Sequence, residues 1–323
     1  MKISILRQAI PGPATGKCPT CSRRLPAYGG QCLCGYVIPQ GGQEDVGLPD
    51  VQASPLGFRL AHISDLHIGS IAPDGLTAQD RLWMILEAAK QVEVDHLLIS
   101  GDVSKVGKLE EMRACEETLT AGGYPASKRT VIPGNHDLQA SMDLSIYQSI
   151  FPTPLPSIDE LAPGLWVASL DSNAVALKDR SPLFARLVAP VQGRVGSRSL
   201  GILRRDLANK PGVKLLMLHH HLTRHPPEEL NSRWDLYWGT RVGRKVLLDP
   251  VHDDTAVLQA ARELGVSAIF HGHKHWYGQT GYRVGGLPVF NAGSTTLMPQ
   301  PTFRVFDFKD GAWVAIHEIA MTL

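Results

Sequence analysis

The sequence predicts an α/β fold in which parallel strands come first and antiparallel strands follow. Short β-type runs alternate with amphipathic helical patterns from Leu56 onward, which is typical of βαβ units and parallel pairing. From Gly281 onward, strand patterns follow one another with turn signals between them. Histidine, aspartate, asparagine and glycine cluster at the ends of the predicted strands, where ligands gather in such sheets.

The composition excludes several other classes of protein. The chain has 323 residues, of which 43% are hydrophobic and 20% are charged, as in ordinary globular proteins. The formal net charge of +1 gives no overall attraction to nucleic acid or to an acidic membrane surface. No run approaches the roughly 18 apolar residues of a membrane span, and no signal-peptide core is evident. We therefore expect a cytoplasmic protein without a membrane partner, and the oligomeric state stays open.

The predicted elements follow the chain in order. Strands are predicted at 58–63, 96–99, 130–132, 165–170, 213–218 and 267–270, with helices at 77–92, 109–119, 197–207 and 255–264. In the first helix, apolar residues such as Leu82, Ile85 and Ala89 recur with a period of about 3.6 residues. C-terminal strands are predicted at 281–284, 288–291, 302–308 and 312–319.

Residues 1–55 differ from the rest because proline and paired glycines recur and apolar runs are few. They contain the cysteines Cys18, Cys21, Cys32 and Cys34. Paired cysteines on tight turns are typical of a tetrahedral structural zinc site. We therefore predict a zinc-ribbon-like module with one zinc ion and a linker at 1–55, followed by a second domain at 56–323. Cys32 and Cys34 are separated by one residue where a usual zinc knuckle has two, and a redox-labile dithiol is the alternative.

Polar side chains with metal-binding chemistry follow five predicted strands. They are Asp65, His67, Asp102, Asn135, His219, His273 and His275. This mixed set of oxygen and nitrogen ligands suits Zn, Mn, Fe or Co. Asp65 and His67 share one face if the chain stays extended between them, and the carboxylate of Asp102 can bridge two ions. Seven ligands are enough for two metal ions with open positions for water and substrate.

Five motifs, in this order, resemble those of the calcineurin-like metallophosphoesterases. They are HISDLHIG at 62–69, GD at 101–102, GNHD at 134–137, LHHH at 218–221 and GHKH at 272–275. Each motif alone is weak, but five in order at strand ends are specific. The resemblance covers residues 57–320. It implies a four-layer αββα sandwich and a metal-dependent phosphoric ester hydrolase.

The resemblance also implies a role for each motif residue. One ion would be bound by Asp65, His67, Asp102 and His275, and the other by Asp102, Asn135, His219 and His273. His136 would face the substrate phosphate and the leaving group, and Asp137 would orient His136. In the triple histidine the family pattern favours His219 as the ligand, with His220 as the alternative. His62 and His271, which precede their motifs, are expected to be structural.

The expected reaction is hydrolysis by a hydroxide that bridges two divalent ions. Two ions about 3.5–4 Å apart lower the pKa of a bound water and hold the phosphoryl oxygens. The hydroxide attacks phosphorus in line, and His136 protonates the leaving alkoxide. A general acid in this position contributes about 10²–10⁴-fold. Mn, Fe and Zn all fit the ligand set.

Departures from the family pattern narrow the substrate. Protein phosphatases of the family have Asp-Arg-Gly after the bridging aspartate, whereas Val-Ser-Lys follows Asp102 here, and the GNHD motif ends in Asp137 where they have glutamate. The tyrosine of purple acid phosphatases is absent after Asp102, and His136 stands where lipid A pathway hydrolases have arginine. The remaining resemblance is to bacterial phosphodiesterases, including the cyclic-nucleotide type. We therefore predict hydrolysis of a small or nucleotide phosphodiester.

Two other functions stay open at this stage. A nuclease or nucleic-acid end-processing phosphoesterase would use the zinc module as a tether and bind nucleic acid with a strong salt dependence. A non-catalytic, metal-bound adaptor would bind partner proteins through residues 1–55 and turn over no substrate.

The segment 222–250 interrupts the strand–helix alternation directly after the His219 motif. It is therefore expected near the metal ions. Arg241 and Arg244 are candidates for neutralising phosphate, and Trp238 is a candidate for stacking on a base. The alternative is a surface loop whose aromatic residues pack on the main domain.

Overall fold

Twelve strands form two six-stranded sheets in the part of the chain that the structure describes. The computed structural model describes residues 2–8, 57–141, 143–173, 193–222, 251–275, 282–284, 287–309 and 312–322. None of the helices within these ranges combines the length and apolar character needed to span a bilayer.

The first sheet joins both ends of the chain. Its strands are β1 (Lys2–Gln8), β2 (Gly57–Ile63), β3 (His96–Ile99), β4 (Arg129–Val131), β11 (Thr302–Lys309) and β12 (Ala312–Thr322). They lie in the order β1-β12-β11-β2-β3-β4. β2, β3 and β4 are parallel, and the other pairings are antiparallel. The carboxyl ends of β2, β3 and β4 therefore meet at one edge of the sheet.

The second sheet has a parallel centre and antiparallel margins. Its strands are β5 (Ser157–Ala162), β6 (Leu165–Ser169), β7 (Val213–Met217), β8 (Ala268–His271), β9 (Tyr282–Val284) and β10 (Leu287–Asn291). The order is β5-β6-β7-β8-β10-β9, with β6, β7, β8 and β10 parallel. The expectation of an antiparallel C-terminal part is thus correct for β9, β11 and β12 and wrong for β10, which pairs parallel to β8.

Helices connect the strands close to the predicted positions. They are α1 (Ala78–Gln91), α2 (Leu109–Ala121), α3 (Ser145–Ile150), α4 (Ser197–Leu207) and α5 (Asp254–Glu263). α1 begins at a capping box, in which Thr77 Oγ1 accepts from Asp80 N and Asp80 Oδ2 accepts from Thr77 N. Its buried side chains include Leu82, Ile85 and Ala89, so the helical period predicted from the sequence is confirmed. α3 and β5 were not predicted.

Three apolar clusters hold the described elements together. One contains side chains of both sheets, such as Leu60 and Leu98 from the first and Leu215 and Phe270 from the second. A second joins the first sheet to α1, α2 and α3. A third joins the second sheet to α4 and α5. Each cluster member is nearly inaccessible to water, so these contacts supply the main hydrophobic stabilisation.

The N-terminal strand β1 is a finding that differs from the sequence prediction. Residues 2–8 lie inside the segment predicted to be a loop-rich module, but they pair with β12 over seven residues. Ile5 is buried in the cluster that contains α1. β1 runs antiparallel to β2, so its last residue points to the end of the sheet at which β2 begins, away from Asp65.

Candidate metal centre

The seven predicted ligands follow strand ends from both sheets. Asp65, Asp102 and Asn135 follow β2, β3 and β4 of the first sheet, and His219 and His273 follow β7 and β8 of the second. His219 Nδ1 donates to the carbonyl of Ser100 over 2.8 Å, and His273 N donates to the carboxylate of Asp65 at 3.0 Å. These contacts join the two sheets at the edge where the parallel strands end.

Four predicted ligands have a backbone conformation that L-residues rarely adopt. Asp65, His67, Asp102 and His273 have φ angles of 51°, 44°, 51° and 70°. The condition that the chain stays extended between Asp65 and His67 is therefore not met, and left-handed turns bring the two side chains together instead. Such conformations cost on the order of 1–3 kcal/mol each and concentrate at functional sites.

The first ligand group consists of Asp65, His67, Asp102 and His275. One ligand atom from each lies within 4.8 Å of the others. The Nε2 atoms of His67 and His275 are 3.0 Å apart, and His275 Nε2 is 3.4 Å from Asp65 Oδ1. Asp65 and Asp102 are fully buried, whereas the His275 side chain is 25% exposed. The group thus converges on one point that solvent reaches from the side of His275.

The second ligand group is arranged around the amide oxygen of Asn135. Its Oδ1 lies 3.0 Å from His219 Nε2 and 2.9 Å from His273 Nδ1. His219 Nε2 also lies 3.3 Å from Asp102 Oδ2. Asp102 is therefore within reach of both groups, and its bridging of two ions stays a prediction.

The donor set fits a divalent cation. The carbonyl of Ser100 can only accept, so a neutral His219 donates through Nδ1 and presents a lone pair at Nε2 to two further acceptors, Asn135 Oδ1 and Asp102 Oδ2. Asp102 Oδ2 and His273 Nε2 are buried without a hydrogen-bond partner among the described residues. Converging buried acceptors are costly unless a proton or a metal ion lies between them.

The pKa values of these groups agree with an acceptor-rich site. Burial lowers the pKa of His67 and His273 well below the usual range, and neighbouring imidazoles lower both pKa values further. Burial opposes charge on Asp102, but His219 and His136 outweigh it and hold the Asp102 pKa well below its usual range. In the metal-free chain, Asp102 likewise outweighs burial and raises the pKa of His219 to about 9. A proton on His219 then substitutes for a cation.

Two glycines leave room for ligand carboxylates. A Cβ atom on Gly134 would collide with the carboxylate and backbone of Asp102, and one on Gly272 would collide with Ser64 Oγ and Asp65 Oδ2. Each glycine directly precedes a predicted ligand, Asn135 or His273. The glycines of the GNHD and GHKH motifs thus allow close approach between loops of different strands.

His136 lies at the edge of the first ligand group. Its ring centroid is 4.8 Å from that of His67, and its backbone N donates to Asp102 Oδ1 at 2.8 Å. His136 Nδ1 is 2.7 Å from the carbonyl of Lys105. Because a carbonyl only accepts, Nδ1 carries the proton in this contact, and the predicted role of His136 toward a substrate stays a prediction.

Asp137, which was predicted to orient His136, accepts hydrogen bonds from the loop after β3 and from Gly134 of its own motif. Its carboxylate accepts from Ser104 N, Ser104 Oγ and Gly134 N at 2.9, 2.7 and 2.9 Å. Burial and the charge of Asp102 raise the pKa of Asp137 to about 6. Ser104, which bonds Asp137, directly precedes Lys105, whose carbonyl contacts His136, and the orienting role of Asp137 stays a prediction.

The first two histidines of the triple-histidine motif, His219 and His220, have different contacts. His219 is the member that reaches Asn135 and Asp102, whereas His220 Nδ1 lies 2.8 Å from Ser172 Oγ. The geometry therefore favours His219 as the ligand. The loop containing Ser172 also supports the GNHD motif, because Asn173 Nδ2 donates to the carbonyl of Pro133.

Two sets of predicted residues lie outside the described residues, and their roles stay predictions. They are the cysteines Cys18, Cys21, Cys32 and Cys34, and the substrate candidates Arg241, Arg244 and Trp238. His62 and His271 have internal partners, with His62 Nε2 at 2.9 Å from Ser100 Oγ and His271 Nδ1 at 2.9 Å from the carbonyl of Gly272. Both contacts agree with structural roles.

Sequence reasoning missed the hydroxyl-bearing residues that contact the backbone around Asp65. Ser294, Thr295 and Thr296 follow β10 and are fully buried. A signal for them was present, because the run Gly293-Ser294-Thr295-Thr296 follows a strand end as the other motifs do. The carbonyl of Lys105 beside His136 was also missed, since a backbone contact leaves no signature in side-chain type.

The fold and this ligand geometry define a metal-dependent phosphoester hydrolase. Residues 58–277 match the family model for the calcineurin-like phosphoesterases, and the chain belongs to this family. The match covers all five motifs and ends close to His275.

Two curated relatives and one solved structure extend the comparison. The chain is 24% identical over 246 residues to a probable cyclic nucleotide phosphodiesterase of Vesicomyosocius okutanii subsp. Calyptogena okutanii, covering 75% of this chain and 88% of the relative. It is 26% identical over 219 residues to the 3′,5′-cyclic adenosine monophosphate phosphodiesterase CpdA of Vibrio vulnificus, covering 62% and 72%. A dimetal phosphatase from Danio rerio has a similar fold, with a TM-score of 0.56, 13% identity and coverage of 83% and 99%.

Proposed function

We propose that this protein is a dinuclear-metal-dependent phosphodiesterase that hydrolyses a small or nucleotide phosphodiester. The observation that carries the proposal is the sharing of Asp102 by two ligand groups. Asp102 Oδ2 lies 3.9 Å from His67 Nε2 in the first group and 3.3 Å from His219 Nε2 in the second. A single buried carboxylate between two sets of imidazole and oxygen ligands is suited to hold two ions close together.

The ligand roles follow from the two groups. Asp65, His67, Asp102 and His275 hold one ion, and Asp102, Asn135, His219 and His273 hold the other. When bound, divalent ions supply Lewis acidity and lower the pKa of coordinated water. Asn135 contributes a neutral oxygen, so the second group keeps more positive charge than another carboxylate would leave. Mn, Fe and Zn all suit these ligands.

His136 is the proposed general acid of the reaction. The Lys105 carbonyl fixes the ring through Nδ1, and the partly exposed imidazole lies beside His67 of the first ligand group. A proton held at Nε2 can pass to the leaving alkoxide of the diester. Asp137 supports this geometry by holding the loop that carries Lys105.

The names of the relatives support a cyclic nucleotide as the first substrate class to test. Both curated relatives are described as cyclic nucleotide phosphodiesterases, and the chain covers most of their length. A nuclease or nucleic-acid end-processing activity, and a non-catalytic adaptor, are the outcomes that would replace this proposal.

Three further assignments remain part of the proposal. The apolar clusters between the sheets and on their outer faces support a four-layer αββα arrangement. The spacing of Cys18, Cys21, Cys32 and Cys34 supports one structural zinc ion in an N-terminal module at 1–55, with the catalytic domain at 56–323. Strand β1 is an exception within 1–55, because it pairs with β12 of the catalytic domain. The cytoplasmic location stays a prediction.

The decisive experiment compares an activated phosphodiester with its matching monoester in the presence of Mn²⁺. The protein, its Asn135→Ala variant and an exposed-site control, Asn209→Ala, are assayed together. We expect diester turnover that Asn135→Ala loses and Asn209→Ala keeps. A panel of cyclic nucleotides and of single- and double-stranded nucleic acids then identifies the substrate class.

Three outcomes would contradict the proposal. Turnover of the monoester alone would indicate a phosphomonoesterase. Cleavage of nucleic acid in preference to nucleotides, with salt-dependent binding, would indicate a nuclease. Absence of turnover across the panel, in protein that holds two ions per chain, would favour the adaptor.

A further inference from the structure

Three consecutive hydroxyl side chains hold the backbone on both sides of Asp65. Thr295 Oγ1 accepts from Ser64 N at 3.0 Å, Ser294 Oγ donates to the carbonyl of Asp65 at 2.8 Å, and Thr296 Oγ1 donates to the carbonyl of Leu66 at 2.5 Å. Thr295 N also donates to the carbonyl of Ser64 at 3.0 Å. We call Ser294, Thr295 and Thr296 the hydroxyl clamp.

The clamp contacts the part of the backbone that has unfavourable positive φ angles. Asp65 and His67 have positive φ angles, and Leu66 lies between them. A left-handed conformation at a non-glycine residue persists only where surrounding contacts over-determine it. The clamp supplies such contacts at three successive residues, and each of its hydroxyl-bearing residues is at most 1% exposed. Water therefore does not compete for these hydrogen bonds.

The clamp also contacts His275, another ligand of the first group, and Arg81 on helix α1. Ser294 N donates to the carbonyl of His275 at 3.0 Å. The carbonyl of Thr296 accepts from the buried guanidinium of Arg81 at 3.0 Å, and Arg81 pairs with Asp74 at 2.8 Å. One segment after β10 thus connects Asp65, Leu66 and His275 to α1. Its contacts with Asp65, Leu66 and Arg81 each join residues more than 200 positions apart in sequence.

We propose that Ser294, Thr295 and Thr296 are positioning residues for the first metal-binding group. Their hydroxyls hold the left-handed turns that aim Asp65 and His67 at one ion, so their loss weakens that ion's binding without removing a ligand. This inference rests on the proposed two-metal function. It predicts a larger effect on the first group than on the second, because the clamp has no described hydrogen bond to Asn135, His219 or His273 and reaches His273 only through the carboxylate of Asp65.

The test measures Mn²⁺ binding to the full chain and to variants with closely similar side-chain shape. Thr296→Val removes the hydroxyl bonded to Leu66, and Thr296→Ser keeps it. Thr118→Val is the matched control, because Thr118 is 2% exposed and its Oγ1 bonds to the carbonyl of Ala114, away from the site. Titrations in the full chain and in an Asn135→Ala background separate the first group from the second.

Thr296→Val is expected to weaken Mn²⁺ binding at the first group by about 10–100-fold, and Thr296→Ser is expected to restore most of it. The melting temperature of the chelator-treated protein reports stability separately. Unchanged first-group affinity in Thr296→Val overturns the clamp. So does an equal loss of affinity in Thr118→Val, because the effect then follows stability alone. Wild-type protein that binds no Mn²⁺ overturns the proposed function and the clamp together, whereas wild-type binding with an unaffected Thr296→Val overturns only the clamp.

Discussion

At the scale of single residues, unfavourable backbone conformations coincide with the proposed metal ligands. Among the described residues, five non-glycine residues have positive φ, and Glu93 is the one that is not a predicted ligand. Glycine would adopt these conformations without this cost, but it would lack the side chain that binds the metal ion. The presence of aspartate and histidine at these positions agrees with a requirement for ligand geometry over local stability.

Gly134 tests how tightly the ligand loops are packed. Gly134→Ala would place a methyl group against the carboxylate and backbone N of Asp102. We expect the variant to lose most bound Mn²⁺ and to lower kcat/KM by at least about 100-fold, because a shift of about 1 Å at a catalytic site has this effect. Metal analysis and diester kinetics measure both results.

Gly201→Ala is the matched control for Gly134→Ala. Gly201 lies inside α4, and a Cβ atom there meets nothing within 4 Å. Alanine stabilises a helix interior by about 0.5–1 kcal/mol relative to glycine, so Gly201→Ala is expected to raise the melting temperature and keep full activity. Normal metal content in Gly134→Ala would contradict the tight packing of the two loops.

His136→Ala separates catalysis from metal binding. The ring of His136 contacts the Lys105 carbonyl, and its link to Asp102 runs through the backbone N, which alanine keeps. We expect kcat for an activated diester to fall at least about tenfold, as for loss of a general acid, with near-normal metal content. His252→Ala, at an exposed histidine, is the control. Loss of both metals in His136→Ala would show that the residue is structural.

At the scale of elements, local patterns were predictable and long-range contacts were not. α1 was predicted within one residue at each end because its capping box and apolar period are local in sequence. The order of the motifs likewise predicted which strand ends converge. The hydroxyl clamp was not predicted, since Thr296 and Leu66 lie 230 positions apart and their contact depends on the sheet order.

β1 was missed for a related reason. Ile3–Leu6 is short and is followed by Arg7 and Gln8, which breaks the apolar pattern. Its seven residues become a strand because β12 offers a complete edge for pairing. Such pairing depends on a partner strand more than 300 residues away in sequence, so the residues around β1 alone do not predict it.

Ile5→Ala tests whether β1 contributes to the core. Ile5 is 8% exposed and belongs to the cluster that contains α1. We expect the free energy of unfolding in urea to fall by about 2 kcal/mol or more, as for other buried isoleucines. Val314→Ala, at a 43% exposed position on the neighbouring β12, should change it by less than about 0.5 kcal/mol. Equal effects would show that β1 contributes little.

At the scale of the whole molecule, the metal centre lies where the two sheets meet. Four proposed ligands, Asp65, His67, Asp102 and Asn135, follow strands of the first sheet, and the histidines of the second sheet complete each group. Neither sheet alone holds a full set of ligands for one ion. Metal binding should therefore stabilise the contact between the sheets, and acid, which protonates imidazoles, acts on the same contact.

Buried histidines away from the ligands add a second source of acid sensitivity. His96 is 7% exposed at the start of β3, and its Nε2 lies 2.9 Å from Thr130 Oγ1 on β4. Burial lowers the pKa of His96 to about 4, from a usual value near 6.5. The unfolded chain takes up a proton on His96 below about pH 6.5, whereas the folded chain resists this protonation. The free energy of unfolding is therefore highest above about pH 6.5 and falls as the pH decreases toward 4.

His96→Gln should therefore reduce the acid sensitivity of the fold. Glutamine keeps a polar group beside Thr130 and takes up no proton in this range. Between pH 6.5 and 4, the free energy of unfolding of the chelator-treated variant is expected to fall by up to about 3 kcal/mol less than that of the wild type. Urea denaturation at stepped pH measures the difference, with His252→Gln, at an exposed histidine, as the control. Parallel pH curves for His96→Gln and the wild type would show that His96 takes up its proton in the folded chain as readily as in the unfolded chain, which would refute the assignment.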